Sequence, residues 1–83
     1  MTYSLIYSDI ALKQLKKLDK ETQRRIISTL ERIRIRPYPH VKKLVANPFF
    51  RLRVGDYRVI VDIKDDKLLI YVIEVGHRRN VYK

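Results

Sequence analysis

The apolar residues of this chain recur with a helical period as far as Pro37 and with a strand period from Phe49 onward, and that switch dictates an α+β fold. Ser8 or Asp9 can cap a first helix, whose apolar face is Ala11, Leu12, Leu15 and Leu18, with Lys13, Lys16, Lys17 and Lys20 largely outside it. Asp19 is placed to cap a second, in which Ile26, Ile27, Leu30 and Ile33 recur at the spacing of a core-facing helix. Pro37 stops it. The short joint Leu18-Asp19-Lys20 predicts an antiparallel helix hairpin. Ahead of the helices, Tyr3 to Tyr7 alternates roughly and reads as an N-terminal strand. Residues 37–48 read as a loop, with Pro37, Pro39, Pro48 and the basic pair Lys42-Lys43. Beyond it, Phe49–Val54, Tyr57–Ile63 and Leu68–Val75 are β-branched and aromatic runs, separated by Gly55-Asp56 and by a turn near Asp65-Asp66. They predict an antiparallel β-meander of three or more strands with both helices packed on one face.

At 83 residues the chain has room for one domain, spanning 1–83, and a modest core. It contains no cysteine, which excludes a disulfide framework and a thiolate metal site. No apolar run approaches the roughly 20 residues that span a bilayer, and the N-terminal segment lacks the pattern of a secretory signal. A cytoplasmic protein without a membrane partner is the expectation.

Charge narrows the function classes. Nineteen Lys and Arg against nine Asp and Glu leave a formal +10. A field of that sign draws polyanions and speeds their capture. Nucleic acid is the leading partner class, with an anionic membrane or an acidic protein as alternatives. A heat-tolerant, charge-rich surface explains many charges of both signs, but not an excess of one.

The hairpin sharpens this. A two-residue turn at Gly55-Asp56 pairs Val54 with Tyr57 and thereby sets Arg53 opposite Arg58 and Arg51 opposite Ile60. Alternation puts Arg51, Arg53 and Arg58 on one face, with Leu52, Val54, Val59 and Val61 on the other, toward the helices. Like charges directly opposite each other destabilise a sheet. Three converging guanidiniums therefore read as an anion site, since the guanidinium fork matches phosphate oxygens and stays charged at every relevant pH. The competing reading is a solvated face with Asp62 as counter-ion.

After the last strand comes Val75-Gly76-His77-Arg78-Arg79-Asn80-Val81-Tyr82. Here Tyr82 can stack on a base and Arg78 can contact a phosphate, which suits single-stranded RNA. Loop exposure for His77 and a packing role for Tyr82 remain open alternatives. His40, in the proline loop, reads as structural or exposed. The two histidines and scattered acids have no metal-ligand spacing. Gly55 and Gly76, the only glycines, make no phosphate-cradling loop.

The segment Phe50-Arg51-Leu52-Arg53-Val54-Gly55-Asp56-Tyr57-Arg58-Val59-Ile60 resembles the signature hairpin of the RelE/ParE toxin superfamily, as the ending Val75 to Tyr82 resembles its tail. The Lys42-Lys43-Leu44 stretch and the helix pair ahead of a proline-bearing loop are similar to it too. Within the superfamily the chain most resembles archaeal-type RelE toxins.

This resemblance implies a metal-independent endoribonuclease, the toxin of a type II toxin-antitoxin system. It would enter the ribosomal A site and cut mRNA by attack of the neighbouring 2′-OH, without a cofactor. The family's basic catalytic pair falls on Arg51 and Arg53, its hairpin arginine on Arg58, and its tail arginine and tyrosine on Arg78 and Tyr82. Lys42, Lys43 and Arg79 would add contacts to RNA. Some relatives carry lysine where this chain has Arg51 and Arg53. Arginine, with a pKa above about 12, is a poor general base. His77, an imidazole with an ordinary pKa near about 6.5, is then the local candidate for proton transfer.

The resemblance also implies an acidic, RelB-like antitoxin that assembles with the toxin. An amphipathic helix can cover Ile60, Leu69, Tyr71 and Ile73 on the open side of the sheet, with Leu69 and Tyr71 expected semi-exposed. Two other functions remain. A ParE-like gyrase inhibitor would share the fold without cutting RNA, and a non-catalytic module would bind RNA or an acidic protein.

Overall fold

The computed structural model describes residues 2–77. Strand β1 (Ser4–Tyr7) leads into helix α1 (Asp9–Lys16) and helix α2 (Lys20–Ile33). Strands β2 (Val41–Lys43), β3 (Phe50–Val54), β4 (Tyr57–Lys64) and β5 (Leu69–His77) follow. They form one five-stranded sheet in the order β1-β5-β4-β3-β2, with β1 parallel to β5 and the other pairings antiparallel. The α+β architecture is the expected one. Among the described residues, no helix is long and apolar enough to cross a membrane.

Local chemistry explains where the helices start. Ser8 caps α1: its Oγ accepts the Ala11 N–H at 3.0 Å, and its hydroxyl donates to the Ile73 carbonyl at 2.7 Å. Asp19 occupies the N-cap of α2 without a side-chain capping bond. Gln23 instead closes the joint, its Nε2 donating to the Leu18 carbonyl at 2.8 Å. At the far end of α2, the Arg34 Nε and carbonyl both engage the Tyr3 backbone, at 2.8 and 2.9 Å, fastening that helix to the entrance of β1.

The buried helix faces are narrower than their sequence pattern. Ala11 and Leu15 are buried, as are Ile26, Leu30 and Ile33, but Leu12 and Ile27 are 43% and 39% exposed. Each of these two follows a buried residue and sits about 100° further round the helix, off the stripe that meets the sheet. The sheet supplies Leu52, Val59, Val61, Ile70, Val72 and Val75 to the same core. Each fully buried side chain of this size is worth about 1.5–3 kcal/mol relative to exposure.

Two features depart from the expected meander. Within the proline loop a 3₁₀ turn at Tyr38–His40 is followed by β2, which pairs Val41, Lys42 and Lys43 with Leu52, Arg51 and Phe50. A three-residue run carrying two lysines has no readable strand pattern, yet lysines are the usual guards of a sheet edge. The second departure is a register shift between β4 and β5. Ile60 pairs with Glu74 and Val61 with Val72, leaving Ile73 as the extra residue of a bulge. Beyond Tyr7, where β1 ends, α1 supplies β5 with partners: Ser8 for the Ile73 carbonyl, and the Gln14 Oε1 for the Val75 N–H at 2.6 Å.

The turn between β4 and β5 is a 3₁₀ turn at Asp65–Lys67 that closes on Leu68 at φ 50°. Asp65 accepts hydrogen bonds from the Tyr3 and Tyr38 hydroxyls, both at 2.7 Å, so one carboxylate ties together three distant segments. Those bonds, Tyr38's first, hold the Asp65 carboxyl below its ordinary pKa. Burial, and then the bond to Asp65, push Tyr38 up to about 12.

Candidate functional site

The site begins with the turn between β3 and β4. Gly55 takes φ +57° while Asp56 keeps a negative φ, the pattern of a two-residue turn that demands glycine at its first central position. This pairs Val54 with Tyr57 and sets Arg53 directly opposite Arg58 and Arg51 opposite Ile60. On the other side of β3, Lys42 stands directly opposite Arg51. Two like-charged pairs thus adjoin on one sheet face, each costing some tenths of a kcal/mol (roughly 0.2–1) that an anion would offset.

The open face carries Lys42, Arg51, Arg53, Arg58 and Lys64 against Asp62 and Glu74. Asp62, the counter-ion in the competing reading of a solvated face, lies 3.4 Å from Lys64 Nζ. Glu74 reaches this face only because the bulge at Ile73 shifts the phase of β5. It stands opposite Ile60 and diagonal to Arg58. Sequence alternation alone does not find it.

Next to the arginines is a cleft of about 210 Å³ lined by His40, Lys42, Arg51 and Arg53. The 3₁₀ turn brings His40 there, with its N–H bonded to the Pro37 carbonyl at 3.0 Å. Sequence reasoning passed over His40. The signal that finds it is the pairing of β2 with β3, which makes the residue just before β2 a neighbour of Arg51 and Arg53.

His77 requires the opposite correction. It pairs with Tyr57, whose ring it meets edge-on at a centroid separation of 5.6 Å. Tyr57 packs against the core, so His77 lies on the helix side, behind the sheet from Arg58. Without the bulge, alternation from Val72 would have put His77 on the arginine face. The lysine pair divides in the same way. Lys42 joins Arg51, whereas Lys43 points to the other face, its Nζ 5.6 Å from the centre of the Phe50 ring. Arg78, Arg79 and Tyr82 lie outside the described residues.

The remaining open face is apolar toward β1. Ile6 pairs with Tyr71, and the two are 38% and 42% exposed. Leu69 and Ile73 are half-buried. Ile60, expected beside them as docking surface, is only 7% exposed and offers a partner little area. It lies outside the main core cluster, between Arg51 and Glu74.

Comparison with known proteins places this arrangement in context. Residues 5–82 match the family described as the ParE toxin of type II toxin-antitoxin systems. The chain is 30% identical over 81 residues to the mRNA interferase toxin RelE of Escherichia coli K12, covering 94% of this chain and 85% of that one. Among solved structures, the RelBE2 toxin-antitoxin complex of Mycobacterium tuberculosis superposes with a TM-score of 0.86 at 22% identity, covering 94% of this chain and 100% of its counterpart. The archaeal RelE-RelB complex of Pyrococcus horikoshii gives 0.80 at 24% identity, over 98% and 100%. At these identities the structural likeness is one of fold.

Proposed function

Because the chain belongs to the RelE/ParE family of type II toxins, we propose that it is a ribosome-dependent endoribonuclease that cuts mRNA in the A site. The observation that carries this reading is the two pairs of opposed cations, Lys42 with Arg51 and Arg53 with Arg58, on one face beside the His40 cleft. The relative named mRNA interferase toxin supports it.

In this mechanism the 2′-oxygen attacks the adjacent phosphorus in line. A 2′,3′-cyclic phosphate forms as the bond to the 5′-oxygen breaks, and that oxygen takes a proton from water as it leaves. Charge builds on the phosphorane oxygens, and fixed guanidiniums at Arg51, Arg53 and Arg58 lower that barrier without a metal. His40 takes the 2′-OH proton, the role that the sequence alone assigned to His77. An arginine cannot serve there, whereas an imidazole exchanges protons near neutrality. Arg78 and Tyr82 act as phosphate and base contacts, and Lys42 and Arg79 steer the RNA. The toxin works in the cytoplasm as one domain. It is silenced by an acidic, RelB-like antitoxin whose apolar helix covers Ile6, Leu69, Tyr71 and Ile73.

Primer extension on translating ribosomes tests the reading. Cuts within A-site codons that vanish in Arg58→Ala support it. The matched family carries the ParE name, so the second reading is the ParE-like one, inhibition of gyrase. Gyrase-dependent DNA breaks without RNA cuts would establish that one instead.

A further inference from the structure

A second concavity, of about 370 Å³, lies between α2 and the β3–β4 turn, lined in part by Arg25, Ser28, Arg32, Arg53 and Gly55. We propose that it is a second phosphate-binding site, which takes the RNA backbone beyond the nucleotide held at the His40 cleft.

Three observations carry this. First, the charged groups lining it are all arginines. Among the described residues, no carboxylate lies within ion-pair distance of Arg25, Arg32 or Arg53. The carboxylate of Glu31, on the same helix, is taken by Arg34 at 2.7 Å. Second, Arg25, though exposed, leans on the turn that forms the wall. Its guanidinium lies over Gly55, where a Cβ would come within 3.2 Å of Nη2. The turn glycine thus supplies the φ of +57° and the room for this cation together. Third, Arg53 lines both this concavity and the His40 cleft, so the two are adjoining stations around the end of the hairpin. A polyanion with regularly repeated charges fits two arginine-lined stations in sequence, and guanidinium forks suit its phosphate oxygens.

The proposal rests on the nuclease reading for its RNA ligand and for the nucleotide at the His40 cleft, but not on cleavage. Its test therefore uses a short 2′-O-methyl RNA oligonucleotide, which cannot be cut, and reads binding by fluorescence anisotropy over a salt series. For a single strand the slope of log affinity against log salt falls by about 0.7 for each phosphate contact removed. Arg25→Ala combined with Arg32→Ala should lose about 1.4 of slope, two such contacts. Arg24→Ala combined with Arg36→Ala removes equal charge from exposed positions outside the concavity and should leave the slope unchanged. Circular dichroism confirms that both double variants stay folded. Equal losses in the two double variants would overturn the proposal by showing that only net charge matters. Displacement of the RNA by polyglutamate at matched charge would overturn it in favour of an acidic protein. Slope loss confined to the Arg25/Arg32 variant, in a protein that cuts no ribosome-bound mRNA, would keep this site and remove the nuclease reading.

Discussion

Arg53 and Arg58 stand directly opposite each other across the β3–β4 hairpin, two guanidiniums on one face at the end nearest the turn. A sheet selected for stability alone would carry an opposite charge or a threonine at one of them. Relieving the repulsion should therefore separate stability from function. Arg53→Thr is expected to raise the unfolding free energy by roughly 0.2–1 kcal/mol while weakening RNA binding and cleavage. Denaturant titration alongside the cleavage assay checks both halves, and a variant that is both less stable and fully active would contradict the anion-site reading.

His40 and His77 make opposite predictions. Removal of a general base typically costs about 10²–10⁴ in rate. His40→Ala should show a loss of that order in single-turnover cleavage. His77→Ala should keep its rate and lose only the ring contact with Tyr57. If the rate falls in His77→Ala but not in His40→Ala, the assignment of the proton carrier is reversed.

The Asp65 junction predicts an acid limb in stability. Hydrogen bonds from Tyr38 and Tyr3 lower the folded-state pKa of Asp65. The stabilisation it brings is thus present above the unfolded value of about 3.9 and is lost as pH falls through the lower folded value. Asp65→Asn should melt below the wild type at neutral pH, and the gap should close in strong acid. Tyr38 behaves in mirror image. With its folded pKa raised to about 12, its contribution holds below the unfolded value of about 10 and disappears as pH rises through about 12. Thermal melts of Asp65→Asn and Tyr38→Phe across pH read both limbs.

On the apolar side of the open face, exposure separates docking residues from structural ones. Tyr71→Glu places a charge in the exposed pair with Ile6 and should weaken antitoxin binding by tenfold or more, with little change in melting temperature. Ile60→Ala empties a buried site and should cost about 2–5 kcal/mol of stability, whatever its effect on the antitoxin. Calorimetric titration with the cognate antitoxin, paired with thermal melts, distinguishes the two.

Much of the site is legible without coordinates because it depends on one turn. Gly55-Asp56 admits a two-residue loop, such a loop allows one register, and the register places Arg51, Arg53 and Arg58 together. The helix stripes through Leu15, Ile26, Leu30 and Ile33 follow from a period of 3.6 in the same direct way. Their limits are just as physical. Leu12 and Ile27 share the pattern but not the burial, since the width of a buried stripe is set by what the helix packs against.

The chain alone thus determined its helices, four of its five described strands, the hairpin register and the cationic face, all of which follow from neighbours a few residues apart. Tertiary structure decided the rest. Pairing with β3 made an edge strand of Val41–Lys43 and brought His40 to the arginines, while alternation turned Lys43 away. A single extra residue at Ile73 turned Glu74 to the open face and His77 behind it. A strand's period of two carries side-chain direction faithfully along the chain only until a bulge interrupts it, and whether one forms depends on partners such as Ser8 and Gln14, some sixty residues away in sequence.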